Sequence, residues 1–99
     1  MQSTIPTIAA SISSAVGWAG RMIVRMSGPA TFAIARKIVD ELPPPGGAGR
    51  SRFHVGSFDF FGSIYLFASP HSYTGEDLVE FHLPGNPLLA NSLMAACLK

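Results

Sequence analysis

The chain predicts an α+β domain, a small mixed or antiparallel sheet with two main helices, and three observations predict it. Apolar and other residues alternate with period two over 22–27 and 78–83, and aromatic or β-branched residues crowd 53–60 and 64–68. Apolar residues recur at helical spacing in Ile34, Ile38 and Leu42, and again in Leu89, Leu93, Ala96 and Cys97. Glycine and proline clusters separate these stretches at 28–29, 43–49 and 84–87. Strands and helices are interspersed, no internal repeat is present, and residues 1–99 read as a single domain.

Thr7-Ile8-Ala9-Ala10 is the first expected strand, followed by a small-residue stretch from Ser11 to Gly20. Residues 22–27 form the second, with Met22, Val24 and Met26 on one face and Ile23, Arg25 and Ser27 on the other. Gly28-Pro29 opens a helix, Pro29 standing in the first turn where a missing N–H is harmless. The Ile34, Ile38, Leu42 stripe with Ala35 and Val39 faces the core, while Arg36 with Asp40 and Lys37 with Glu41 are read as solvated pairs four apart. Pro43-Pro44-Pro45 ends the helix, and the glycines that follow make a mobile connector. Two strands over 53–60 and 64–68 are expected to turn at Phe61-Gly62-Ser63. Residues 78–83 form the last strand, and Asn86-Pro87 starts the second helix as N-cap and first residue, with no C-cap before the chain ends.

Composition narrows the class of function. A 99-residue chain makes one domain with a modest core. Hydrophobic residues are 47% and charged ones 13%, against about 25% charged in an ordinary soluble domain, which favours burial of some surface in a homo-oligomer. No apolar run approaches the ~20 residues of a membrane span, and the N-terminus lacks the basic start of a signal peptide, so the reading is cytoplasmic. The single cysteine fits a reducing compartment. A net charge of +1 supplies no strong field for bulk nucleic acid.

Chemistry concentrates on few residues. Alternation over 78–83 sends Val79, Phe81 and Leu83 to the core and sets Leu78, Glu80 and His82 on the other face, where an ionised carboxylate needs water, a cation or donors. A solvated strand glutamate is the plain alternative. Arg25 is a lone arginine in an apolar strand, able to reach water or pair with a nearby carboxylate. Thr74-Gly75-Glu76-Asp77 reads as a tight turn with glycine at positive φ and a threonine cap. His54, His71 and His82 are too scattered for a metal motif, and Cys97 sits on an apolar helix stripe as a small core residue. No G-x-x-x-x-G-K-[ST] phosphate loop occurs, so these residues do not bind GTP in that manner.

Two segments carry a resemblance: Ile23-Val24-Arg25-Met26-Ser27-Gly28-Pro29, and Pro70-His71-Ser72-Tyr73-Thr74-Gly75-Glu76-Asp77-Leu78-Val79-Glu80. Together they resemble the signature segments of the N-terminal domain of the tRNA modification GTPases of the MnmE (TrmE) family, over nearly the whole chain. The resemblance implies a folate-binding, GcvT-like fold and binding of 5-formyltetrahydrofolate, with Arg25 and Glu80 matching two ligand-contacting positions and Thr74, Gly75 and His82 as further pocket or turn residues. A pterin's pyrimidine edge offers two adjacent N–H donors, which suit the two oxygens of Glu80. It also implies a homodimer, a flavoprotein partner of the MnmG (GidA) type and tRNA wobble-uridine modification by the full-length protein. GTP, Mg and K belong to a GTPase domain that, with a helical domain, is absent from these residues, and the uncapped last helix favours a fragment.

The chain departs from the family pattern in two places. The basic Pro-Pro-Gly-Arg-Gly-Gly loop stands here as Ala15-Val16-Gly17-Trp18-Ala19-Gly20, with Arg21 the nearest basic residue, and His-Gly-Gly is represented by Leu83-Pro84-Gly85-Asn86. An assembly module that has lost its ligand is therefore the alternative reading.

Overall fold

The computed structural model describes residues 9–14, 20–69 and 75–98, the first segment by its backbone. Five strands, β1 (Ala9–Ser14), β2 (Arg21–Ser27), β3 (Ala48–Val55), β4 (Phe58–Phe67) and β5 (Leu78–Pro84), and two helices, α1 (Thr31–Ile38) and α2 (Pro87–Cys97), make a two-layer α+β fold. The sheet order is β1-β2-β5-β4-β3 and every pairing is antiparallel. The last strand in sequence is thus central in space, hydrogen-bonded to β2 on one side and β4 on the other. Both helices lie against the same face of the sheet, α2 across β1, β2, β3 and β5, and α1 against β3 and β5.

Period-two alternation sorts the strands as the sequence predicts. Val24 and Met26, Phe53 and Val55, Ile64 and Leu66, and Val79, Phe81 and Leu83 are all buried under the helices. Phe53 stacks on Phe60 at 5.0 Å and meets Phe81 edge-on at 5.6 Å, so three strands share one aromatic centre. From α2, Ala90, Leu93 and Cys97 complete the core, and burial pushes the Cys97 thiol up to about 12, which leaves it inert. Asn86 caps α2 by accepting the Leu88 N–H at 2.9 Å, and Pro87 takes the first helical position, both as expected. That helix ends at Cys97, with the Leu98 N–H bonded to the Met94 carbonyl.

Four expectations change. The first strand runs on to Ser14, because the small residues 11–14 pair in register with β2; Thr7 and Ile8 lie outside the described residues. Pro29 precedes the helix, whose N-cap is Ala30. Helix α1 stops at Ile38, four residues short of Leu42, because Val39 turns extended and bridges Phe53 while the Asp40 N–H bonds the Arg52 carbonyl at 3.1 Å. Asp40 and Glu41 therefore lie beyond the helix and are not i+4 partners of Arg36 and Lys37, yet Leu42 still packs on the core. The glycine-rich connector is pinned: Gly46 donates to the Leu66 carbonyl at 2.8 Å, and the Leu66 N–H bonds the Gly47 carbonyl at 3.0 Å.

The largest correction concerns the hairpin. The β3–β4 turn is Gly56-Ser57, flanked by the Val55–Phe58 pair, with Gly56 at φ +58 as a two-residue loop with glycine first requires. Phe61-Gly62-Ser63 is the middle of β4. Gly62 is there for space: a Cβ would sit 2.6 Å from the His82 carbonyl oxygen and 2.9 Å from the Phe53 ring.

Candidate functional site

The sheet face away from the helices carries the polar chemistry, and antiparallel register decides which residues meet. Arg25 on β2 pairs with Glu80 on β5, which pairs in turn with Tyr65 on β4. One residue pair along, Ile23, His82, Ser63 and Arg50 form the adjacent row across four strands. Directly opposed residues on one face bring their Cβ atoms within about 5 Å, so side chains from three strands converge on Glu80.

Glu80 is held at both oxygens. Its Oε2 accepts from Arg25 Nε at 2.7 Å, and its Oε1 lies 3.1 Å from His82 Nε2. The side chains of Glu80 and His82 are each 14% exposed, and that of Arg25 is 34% exposed. Burial pushes the Glu80 carboxyl up, and the hydrogen bonds from Arg25 and His82 more than reverse this, leaving it below the usual carboxylate range. The His82 ring packs against Tyr65 with centroids 4.5 Å apart, and its Nδ1 is enclosed without a hydrogen-bond partner.

Beside this network opens a cleft of about 330 Å³, whose walls include Arg21, Arg50, Gly62, Ser63, Tyr65 and His82. His82 and Tyr65 belong to both; Arg25 and Glu80 stand next to the cleft rather than in its wall. At the far end of the sheet, Gly85 donates to the Gly20 carbonyl at 2.6 Å, and a Cβ on Gly85 would collide with the Gly20 backbone, so the strand after His82 is clamped to the start of β2.

The sequence-predicted residues divide as follows. Arg25, Glu80 and His82 are brought together. Gly75 is exposed at φ +76, as the tight turn required, but lies in a different surface region with Glu76 and Asp77; Thr74 lies outside the described residues. Sequence reasoning missed Tyr65, Ser63 and Arg50: the turn expected at residues 61–63 took Ser63 out of a strand, Arg50 stood before the expected start of the first hairpin strand at residue 53, and Tyr65, inside the expected strand 64–68, had no register to set it opposite Glu80. The usable signal was Gly56-Ser57 between two apolar runs.

A second polar group occupies the β3–β4 hairpin. His54 Nε2 lies 2.6 Å from Asp40 Oδ1 and Nδ1 lies 2.9 Å from Asp59 Oδ1. Hydrogen bonds to Asp59 and Asp40 raise the His54 pKa above its ordinary value. All three side chains are well exposed, and the group ties the segment after α1 to the hairpin. Among the described residues no helix is long and apolar enough to cross a membrane.

Fold and site define a two-layer α+β domain whose open sheet face carries, on its central strand, a half-buried carboxylate gripped by an arginine and a histidine. Residues 7–99 match the family model described as "GTP-binding protein TrmE N-terminus". The chain is 38% identical over 87 residues to the tRNA modification GTPase MnmE of Roseobacter denitrificans, covering 86% of this chain and 20% of that protein. It is 40% identical over 101 residues to the protein of the same name from Xanthomonas oryzae, covering 100% of this chain and 22% of that protein. It is also 38% identical over 89 residues to the mitochondrial 5-taurinomethyluridine-[tRNA] synthase subunit GTPB3 of Danio rerio, covering 87% of this chain and 18% of that protein. The chain belongs to the TrmE N-terminal family, and it spans about a fifth of the length of these curated relatives.

Proposed function

We propose that this domain binds a reduced folate, 5-formyltetrahydrofolate, on the open face of its sheet, and that it serves a tRNA modification GTPase of the kind its relatives are named for. In that reading residues 1–99 act as one folding unit and pair as a homodimer. Nucleotide chemistry with GTP, Mg and K, a flavoprotein partner and the tRNA are engaged by the full-length protein in the cytoplasm. The observation that carries the reading is the Arg25–Glu80–His82 network, set beside a cleft of ligand size and against an aromatic ring.

The residues fit the ligand's chemistry. A carboxylate offers about four acceptor positions, and one Arg25 bond and one His82 bond leave capacity on both oxygens for the paired N–H donors of a pterin edge. Keeping Glu80 ionised matters, because a protonated carboxyl loses acceptors, and its lowered pKa secures the anion at neutral pH. Arg25 spends its Nε on Glu80, so its part is to aim and charge-stabilise that carboxylate. The folate, when bound, supplies or shapes a one-carbon unit. Tyr65 and His82 offer aromatic surface beside the pyrimidine ring.

Calorimetry with 5-formyltetrahydrofolate tests this. Losing one partner of a charge-assisted pair costs about 1.5–3 kcal/mol, so Glu80→Ala should weaken binding roughly 10- to 150-fold. Arg25→Ala should weaken it less, since it acts through Glu80. Wild-type binding indifferent to Glu80→Ala would refute the site. That both Glu80 oxygens already have partners within the chain also supports a second reading, an assembly module without ligand, and absence of any wild-type heat at millimolar ligand would favour it.

A further inference from the structure

Four arginines stand on the open face of the sheet, and they differ in what they touch. Arg25 is bound to Glu80, and Arg52 lies over the Phe61 ring at 4.6 Å. Arg21 and Arg50 have no side-chain hydrogen bond, ion pair or ring contact among the described residues, and both line the 330 Å³ cleft. They come from opposite sides, Arg21 from the start of β2 and Arg50 from β3, with β5 and β4 between them. Among the described residues no carboxylate lines the cleft, and Glu80 beside it is committed to Arg25 and His82. Arg36 and Lys37 are exposed too, but on α1 and outside the lining of this cleft.

Two uncompensated guanidinium groups in one concavity repel each other, and the arrangement becomes favourable when an anion sits between them. Each planar fork can bind two oxygens, and the Ser63 hydroxyl, directly opposite both Arg50 and His82 in register, adds a neutral donor at the floor. We propose that the cleft between Arg21 and Arg50 is a binding site for a small oxyanion group, a phosphate monoester or a carboxylate, carried either on a free small molecule or on the ligand that engages Glu80. The site stands on Arg21, Arg50 and Ser63 and does not require the pterin reading.

The test is an amide and arginine Nε NMR titration of the 99-residue chain with inorganic phosphate, and separately glutarate, at ionic strength held constant with chloride. Saturable shifts at Ser63, Leu83 and the Nε groups of Arg21 and Arg50 are expected, with millimolar affinity. Arg21→Gln and Arg50→Gln should each weaken binding about tenfold or more, and Arg50→Lys, which keeps charge but loses the fork, should weaken it less than Arg50→Gln. Arg36→Gln should change nothing. The proposal is overturned by shifts that do not saturate, by shifts spread equally over Arg36 and Lys37, or by binding that both cleft variants leave intact. Competition separates the two sources: phosphate displacing 5-formyltetrahydrofolate but not its analogue lacking the glutamate assigns the site to the ligand's own carboxylate, and phosphate binding alongside both assigns it to a free anion. Because phosphate alone is the first probe, a domain that ignores folates still answers the question.

Discussion

The two faces of one sheet do different work with the same strands. On the helix-covered face, Val24, Phe53, Ile64, Val79 and Phe81 are wholly enclosed and carry no polar group. On the open face, residues one step away along those strands, Arg25, His54, Tyr65, Glu80 and His82, carry the ion-pair network, the His54–Asp59 contact and the Tyr65–His82 ring contact. The contrast teaches that stability and recognition are separable here, since a period of two sends neighbouring residues to opposite environments. A change on one face should leave the other largely as it was.

The comparison breaks most readily at the covered face. Phe81→Ala removes a fully enclosed ring from the central strand and should cost about 3–5 kcal/mol, read as a loss of midpoint in urea unfolding. An effect under about 1 kcal/mol would show that the core is not the source of stability. Gly62→Ala tests the point where the faces meet, since its Cβ would press on both the His82 carbonyl and the Phe53 ring. About 1–3 kcal/mol of destabilisation is expected, together with shifted His82 ring signals.

On the open face the effect should be smaller and dependent on pH. Glu80→Gln should cost about 1–2 kcal/mol at neutral pH, less than a fully buried pair because Arg25 reaches solvent. Glu80 titrates lower folded than unfolded, so its contribution is fully present above its ordinary value of 4.5 and is lost as pH falls through the folded value. The stability gap between wild type and variant should therefore shrink on acidification below that point. A gap independent of pH would mean that the carboxylate's charge is not what holds Arg25 and His82.

How much of this was legible beforehand depended on the range of the interactions. Periodicity located β2 and β5 to within a residue, because side-chain burial every second position is written directly into the order of residues. Asn86-Pro87 marked a helix start by local hydrogen bonding alone, and the alternation in 78–83 correctly separated Glu80 and His82 from Val79 and Phe81. Resemblance singled out Arg25 and Glu80 as two positions expected to contact a ligand.

What tertiary structure decided was pairing. Arg25 and Glu80 are 55 residues apart, and only the β2–β5 register sets their atoms at 2.7 Å. The end of α1 was set by the Val39–Phe53 bridge, a contact outside the helix that overrode its apolar stripe. Gly62 looked like a turn because glycine's freedom is the same signal whether a chain bends or another backbone comes close, and here the His82 carbonyl comes close. The order of residues determined which side chains share a face; the folding of β5 between β2 and β4 determined which of them touch, since that distance depends on strands the local sequence does not contain.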